Sequence, residues 1–428
     1  MAARAAPCDR GASLTNFASL GLSDALLRAL DDSRFSQPTP AQVSAIPHIL
    51  AGADVWVQAK TGSGKTAAFA LPILQRLATR SECPRPIPVS TLVLVPTREL
   101  AAQTAEVLAS LGAHLPTRVK TCLAVGGVSI NPQMLALRGG ADIVVATPGR
   151  LLDLLDKNAL RLSAVHTWVL DEADRLLSLG FADELSRIRA QLPPRGQSLL
   201  FSATFPPAVR ELVARLLHEP VGIDVDQGAM PDASAIAQRA IEVDERRRAE
   251  LLRHLLKAHG WSRVLVFVAT KYATEHLTDK LRRHGVAAAP LHGELSQGAR
   301  ARALEDFKAS RLQVLVATDL AGRGLDIAEL PAVLNFDLPR SAVDYVHRIG
   351  RTGRAGDAGV AVSFVTAQNS AHFALIERRH RLQVTREVIV GFEPSDVAVA
   401  ASGNGGVKGK RKSKKDKLRE AVARAAQR

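Results

Sequence analysis

Short runs rich in Val, Leu, Ile and Ala recur along the whole chain, each followed by a longer amphipathic stretch. A parallel sheet covered by helices produces that alternation. Its strands are buried on both faces and read as continuous apolar runs, while the crossover helices keep one face in water. In the first half the pattern predicts strands at Val55–Gln58, Thr91–Val95, Thr121–Val125, Ile143–Ala146, Trp168–Leu170 and Ser198–Phe201. In the second half it predicts them at Val264–Val268, Ala287–Leu291, Val314–Ala317, Val333–Phe336 and Val360–Val365. Each set is one sheet's worth, so the fold class is α/β with two domains in tandem. The length of 428 residues agrees. Between the halves, Asp226–Ala237 (DQGAMPDASAIA) is small, polar and turn-rich, as a linker would be. The predicted organisation is a short extension over 1–14, a first domain over 15–226, a linker over 227–238, a second domain over 239–395 and a tail over 396–428.

Charge narrows the partner class. Lys and Arg number 56 against 42 Asp and Glu, a net +14. Residues 408–428 alone carry ten basic and two acidic side chains, +8 of that total. Such an excess suits a polyanion, either nucleic acid or an anionic membrane surface. The run VKGKRKSKKDKLRE cannot bury a core and reads as disordered or transiently helical. Cys8, Cys83 and Cys122 are odd in number and form no CxxC pair, which excludes a disulfide framework and a zinc site and fits a reducing cytoplasm. The N-terminus, MAARAAPCDRG, has no apolar stretch suited to secretion, and no run approaches the roughly 20 residues of a membrane span.

Two segments carry the chemistry. After the strand ending at Gln58 comes AKTGSGKT, Ala59 to Thr66, which opens an apolar helix. Glycines at 62 and 64 let successive backbone N–H groups turn towards one concavity, where the next helix presents its positive end. Lys65 then reaches the outer phosphates, and the Thr66 hydroxyl can ligate Mg²⁺. A Gly-rich turn before a helix would explain the glycines but not Gly-Lys-Thr. The second segment, Asp171-Glu172-Ala173-Asp174, follows the strand Trp168–Leu170. It therefore lies on the same sheet edge as the phosphate loop. Asp171 is suited to hold Mg²⁺ through water, and Glu172 to orient and polarise the attacking water. Two acids at a helix start can also be mere complements to the helix dipole.

These segments stand in a longer ordered series: FSQPTPAQ (Phe35–Gln42), AKTGSGKT, PTRELA (Pro96–Ala101), Gly126-Gly127, TPGR (Thr147–Arg150), DEAD and SAT (Ser202–Thr204). The second half continues it with VLVFVATK (Val264–Lys271), Gln297 and Arg300, ATDLAGRGLD (Ala317–Asp326) and HRIGRTGR (His347–Arg354). In this order and over Phe17 to about Phe392 the chain resembles the DEAD-box RNA helicases. Its IERRHRLQVTRE and GFEP ending is most similar to the bacterial RhlE-like subgroup. The resemblance implies two tandem RecA-like domains, each a parallel sheet flanked by helices, with ATP as substrate and Mg²⁺ as its ion.

It also implies roles. ATP would be held by Phe17, Phe35, Gln42, the loop residues Ala59, Lys60, Thr61, Gly62, Ser63, Gly64, Lys65 and Thr66, and by Asp326 at the ribose. A carboxamide such as Gln42 can pair bidentately with adenine. Catalysis would fall to Lys65, Asp171, Glu172 and the arginine fingers Arg351 and Arg354. Asp174, Ser202 and Thr204 would couple nucleotide state to RNA. RNA would follow Thr97, Arg98, Gly127, Thr147 and Arg150, then Thr270, Arg300 and Thr318. Arg34 and Lys60 depart from the family's usual Gly and Gln. The expected activity is RNA-stimulated ATP hydrolysis coupled to local, non-processive separation of short RNA duplexes. The expected protein is a cytoplasmic monomer without strong RNA sequence preference. Its basic tail is expected to tether RNA, to solubilise the chain or to dock a ribosomal or RNA-decay partner. An ATP-gated RNA clamp and a DNA translocase are the rival classes, the first disfavoured by Glu172 with the two arginines, the second by Gln42.

Overall fold

The structure is a computed structural model that describes residues 16–33, 35–60, 62–80, 85–225, 236–322, 330–352 and 359–395. The first domain holds β1 (Val55–Gln58), β2 (Thr91–Leu94), β3 (Thr121–Ala124), β4 (Ile143–Ala146), β5 (Thr167–Leu170), β6 (Gln197–Ser202) and β7 (Val221–Asp224). The second holds β8 (Ile236–Glu242), β9 (Val264–Val268), β10 (Ala288–Leu291), β11 (Val314–Thr318), β12 (Ala332–Asn335), β13 (Gly359–Val365) and β14 (Arg386–Val388).

Each set forms one seven-stranded sheet, in the orders β3-β4-β2-β5-β6-β1-β7 and β10-β11-β9-β12-β13-β8-β14. All the pairings are parallel, for example Val57 beside Phe201 and Ile223, and Val266 beside Val316 and Leu334. The second order is the first with every label raised by seven. Topology thus repeats where sequence identity does not, and the two-domain α/β expectation holds.

Residues alternate between the faces of each sheet. In β6, Leu199 and Phe201 join a core containing Val57 and Phe69, whereas Leu200 joins another containing Trp168 and Leu170. Phe69 and Phe201 meet with ring centroids 5.2 Å apart. Such complete burial on both faces explains why these strands were visible as apolar runs. The edge strand β7 was not predicted. Its Gly222 lies against Trp56 of β1, so close that a Cβ there would come within 2.4 Å of the indole. Strand β8 begins at Ile236, inside the expected linker, and so shortens it; residues 226–235 lie outside the described residues, as do the 1–14 extension and the 396–428 tail. The third unpredicted strand is β14.

The order places β5, β6 and β1 side by side. The segments that leave their carboxyl ends, Asp171 to Asp174, Ser202 to Thr204 and Ala59 to Thr66, therefore converge on one edge. Among the described residues no helix is long and apolar enough to cross a membrane. Cys122 is a buried free thiol, and Cys8 and Cys83 lie outside the described residues.

Candidate nucleotide and RNA site

The phosphate loop is pinned to the sheet at its start. The Ala59 N–H donates to the Ser202 carbonyl of β6 at 3.1 Å. The chain then turns through Gly62 (φ 80°) and Gly64 (φ 77°) into the helix Lys65–Ala78. Lys65 is buried, and its Nζ donates to the carbonyls of Ala59 at 2.6 Å and Lys60 at 2.7 Å. The Ser63 hydroxyl donates to the same Lys60 carbonyl at 2.8 Å. The ammonium thus sits at the centre of the loop, at the positive end of the helix. Lys60 and Thr66 are half-buried, and Thr61 lies outside the described residues.

The segment expected to read adenine is also a strut. Thr39 caps the helix Pro40–Leu50, with Gln42 closing a capping box. The Thr39 hydroxyl donates to the Ser63 carbonyl at 2.6 Å, and Gln42 Nε2 donates to the Gly64 carbonyl at 3.1 Å. Gln42 Oε1 accepts from the Thr39 N–H at 2.9 Å. A Cβ on Gly64 would lie 2.3 Å from Gln42 Nε2, so both the positive φ and this close approach require glycine. Each end of the carboxamide uses one of two hydrogen-bonding capacities, leaving one donor and one acceptor for a base edge. Phe17 is buried and Phe35 half-buried on the same core. Arg34 lies outside the described residues.

The acidic segment divides into three environments. Burial, then the adjacent Glu172, push the Asp171 carboxyl up to about 7, with Lys65 and the Glu172 N–H opposing. Glu172 heads the next helix in the left-handed region (φ 52°, ψ 52°). Burial alone would raise it. Arg175, which bonds its Oε2, together with Arg351 and Lys65, holds it below the usual carboxylate range. Arg175 was not anticipated from sequence. Its Nε and Nη2 are buried without hydrogen-bond partners. Asp174 turns towards β6. Its Oδ2 accepts from the Thr204 hydroxyl at 2.6 Å and N–H at 3.1 Å, and its own N–H donates to the Ser202 hydroxyl at 3.2 Å. Ser202 in turn donates to the Thr204 carbonyl at 2.8 Å.

The second lobe completes the wall. Arg351 is buried and close enough to Glu172 to depress its pKa. His347 Nε2 lies 4.0 Å from Asp174 Oδ2, a contact from the second lobe to the expected coupling group. Arg354 and Asp326 lie outside the described residues. Between His347 and Arg351 stands Arg348, which sequence reasoning passed over. It is fully buried, pairs bidentately with Asp319 at 2.6 and 2.8 Å, and donates to Asn335 Oδ1 and the Asp337 carbonyl. It also lies over the Phe267 ring at 4.8 Å. Its role is internal, tying the carboxyl ends of β9, β11 and β12 to the helix Ala342–Ile349. No local spacing in HRIGRTGR distinguishes it from the neighbouring arginines.

The expected RNA residues of the first lobe cluster around Arg98, which lies on Gly127 and close to Arg150 and to Arg300 of the second lobe. Thr97 and Thr270 cap the helices Arg98–Leu111 and Lys271–Arg282 through their hydroxyls, and Thr147 is the N-cap of Pro148–Asp156. Three helix N-termini suited to phosphate thus lie at these positions. The Thr147 hydroxyl accepts from the Gly126 N–H at 3.3 Å, and Arg150 Nη2 donates to the Val128 carbonyl at 2.7 Å. The Arg98 guanidinium lies on Gly127, where a Cβ would be 1.9 Å away. Burial and then Arg300 hold Arg98 below its usual pKa. Thr318 ends β11, half-buried. Arg300 makes a contact that the sequence does not reveal. The structure places it beside Arg98 but gives its guanidinium to Glu99 of the first lobe at 2.5 Å and to the His292 carbonyl at 3.1 Å. Glu99 lies inside PTRELA, where sequence alone marks a helix start and not a bridge between lobes.

No group of three or more His, Cys, Asp and Glu side chains that could hold a metal occurs among the described residues. Asp171 and Thr66 offer two hard oxygens, one of them a carboxylate whose charge burial disfavours. That set fits Mg²⁺, an ion usually bound through one or two carboxylates and completed by substrate phosphates.

Comparison with known proteins agrees with this geometry. Residues 39–212 match the DEAD/DEAH box helicase family and residues 247–356 the helicase conserved C-terminal domain. The chain is 43% identical over 375 residues to the DEAD-box ATP-dependent RNA helicase CshA of Bacillus cereus, covering 87% of this chain and 70% of that protein. It is 42% identical to the ATP-dependent RNA helicase DeaD of Mycobacterium tuberculosis, over 87% of this chain and 65% of that protein. Among solved structures it is similar to S. cerevisiae Dbp5 bound to RNA and ADP BeF3, with TM-score 0.78 and 33% identity over 87% of this chain and 95% of that one. It is also similar to Mss116p bound to ssRNA and AMP-PNP, with TM-score 0.81 and 29% identity over 92% and 82%. With both family models matched in order and more than 40% identity over most of its length, the chain belongs to the DEAD-box family of ATP-dependent RNA helicases.

Proposed function

We propose that this helicase separates short RNA duplexes locally, by closing its two lobes around ATP on one side of the seam and a single RNA strand on the other. One observation carries the reading: the ion pair of Glu99 and Arg300 and the approaches of Arg351 to Glu172 and His347 to Asp174 all span the same seam. Gln42 and Phe35 receive the adenine, Lys65 and the loop N–H groups the phosphates, and Asp326 the ribose. Thr66 and Asp171 hold Mg²⁺, which when bound neutralises phosphate charge and aligns its oxygens. Glu172 orients and polarises the attacking water. Arg351 and Arg354 stabilise charge on the transferred group, so turnover requires closure.

RNA runs past the helix N-termini headed by Thr97, Thr147 and Thr270, with Arg98, Gly127, Arg150 and Thr318 along its path. Phosphate contacts of this kind fix position without reading bases, and contacts to the 2′-hydroxyl favour RNA over DNA. Arg300 serves closure through Glu99. Asp174, Ser202, Thr204 and His347 link the nucleotide wall to that movement. ATP and RNA each favour the closed state and so strengthen one another. A strand bent by closure cannot keep an A-form partner, which leaves. We read the chain as a cytoplasmic monomer with its basic tail as an RNA tether, and its ending supports an RhlE-like placement.

Strand displacement on RNA duplexes of graded length tests this. Local opening separates short duplexes efficiently and long ones hardly at all. Equal rates per base pair at every length would show processive translocation instead.

A further inference from the structure

The opposite edge of the first lobe carries a second surface. The segments that precede β2, β4 and β5 come together there with the helix Asn131–Leu137 around a groove of about 670 Å³. Its apolar lining includes Ile87, Pro88, Met134 and Leu135, the last 61% exposed. Arg138, Lys157 and Arg161 stand around it, all exposed. Among the described residues none of the three makes an ion pair or side-chain hydrogen bond, and none of those that line the groove is acidic. Uncompensated cations around an exposed apolar trough raise the local positive potential and leave both the charge and the hydrophobic surface unsatisfied.

We propose that this groove docks an acidic peptide segment of a partner protein, with two or three aliphatic side chains in the trough and carboxylates against Arg138, Lys157 and Arg161. Charge complementarity selects an anionic occupant. The walls select a peptide over nucleic acid, because among the described residues no aromatic ring lines the groove to stack bases, whereas Met and Leu form the adaptable apolar surface that peptide anchors use. Position gives the consequence. The groove lies at the amino ends of the strands, and ATP and RNA lie at their carboxyl ends, so a docked partner leaves both free. The surface recruits the helicase without competing with its substrates.

The test uses the full chain and a short fluorescein-labelled amphipathic peptide of Leu and Glu, with the same peptide carrying Lys for Glu as control. Anisotropy is expected to show saturable binding of the acidic peptide only. Arg138→Glu with Arg161→Glu, both exposed positions, is expected to weaken it at least tenfold, and Leu135→Asp to weaken it likewise. RNA-stimulated ATPase should remain unchanged in the variants and with peptide bound. Equal binding of the two peptides, or no loss in either variant, overturns the proposal. If the double charge reversal instead weakens oligouridylate binding, the groove is an RNA path, and if it abolishes binding to phosphatidylserine vesicles, it is a membrane contact. Either result also overturns it.

Discussion

Arg300 of the second lobe and Glu99 of the first meet at 2.5 Å across the seam, and both side chains are less than a tenth exposed. A buried ion pair that loses one partner strands the other charge, which is strongly unfavourable. The stranding occurs only when the lobes close. Arg300→Ala should therefore leave each lobe folded and ATP binding to the first lobe intact, while reducing the mutual strengthening of ATP and RNA binding about tenfold or more. The reversal Glu99→Arg with Arg300→Glu should recover part of that loss. Nucleotide-dependent RNA titrations of the three proteins measure it.

Arg351 and Arg348 are three residues apart and should fail in different ways. Arg351→Ala removes charge next to Glu172 and should lower RNA-stimulated turnover by about 10³–10⁵ with little change in thermal stability. Arg348→Met removes the partner of Asp319 from a fully buried site. It should destabilise the second lobe by about 3 kcal/mol, the low end for a broken buried pair because Asp319 keeps some contact with water. Calorimetry and ATPase assays on both variants separate the two roles.

Glu172→Gln should keep ATP and RNA binding and reduce turnover by about 10²–10⁴, the usual contribution of a positioned general base. The amide also loses the charge that Arg175 pairs with, so a small fall in stability should accompany it. Brisk hydrolysis in this variant would remove Glu172 from the mechanism.

The Asp171 carboxyl, pushed up to about 7 when no metal is present, must lose its proton to bind Mg²⁺. Above that pH the proton is already gone and affinity for Mg²⁺ with nucleotide should be flat. Below it, affinity should fall by about tenfold per pH unit, since one proton competes with the metal. Asp171→Asn should bind weakly at every pH and lose this slope. Titrations of Mg²⁺ with a nonhydrolysable ATP analogue between pH 5 and 8 (about two units below the midpoint and one above) test the sign.

Strands β2, β4, β5 and β6 and, in the second sheet, β9 and β12 were legible because both faces are buried. Strand β8 was hidden by its polar residues, whose partners lie far along the chain: Gln238 accepts from the Tyr345 hydroxyl, and Arg239 pairs with Glu387 of β14. Read without those partners, IAQRAIE looks like the end of a linker. Strands β7 and β14 are short edges with little apolar content. In the site, the phosphate loop and the acids were legible since each is contiguous and its chemistry demands particular residues. Glu99 and Arg348 were not, because each owes its role to a partner that only the fold supplies; Arg175 pairs with Glu172 three residues before it, a local spacing that any helix surface offers. Arg300 shows the same limit, for the resemblance placed it on the RNA path and only the fold shows that its guanidinium also meets the Glu99 carboxylate.

In the proposed mechanism RNA draws the lobes together and so completes the ATP site. Steady-state ATP turnover by the full chain, with and without saturating single-stranded RNA, tests it most directly. A low basal rate that RNA raises many-fold is expected, with no such rise in Arg351→Ala. Equal turnover with and without RNA, or full stimulation in that variant, would contradict it.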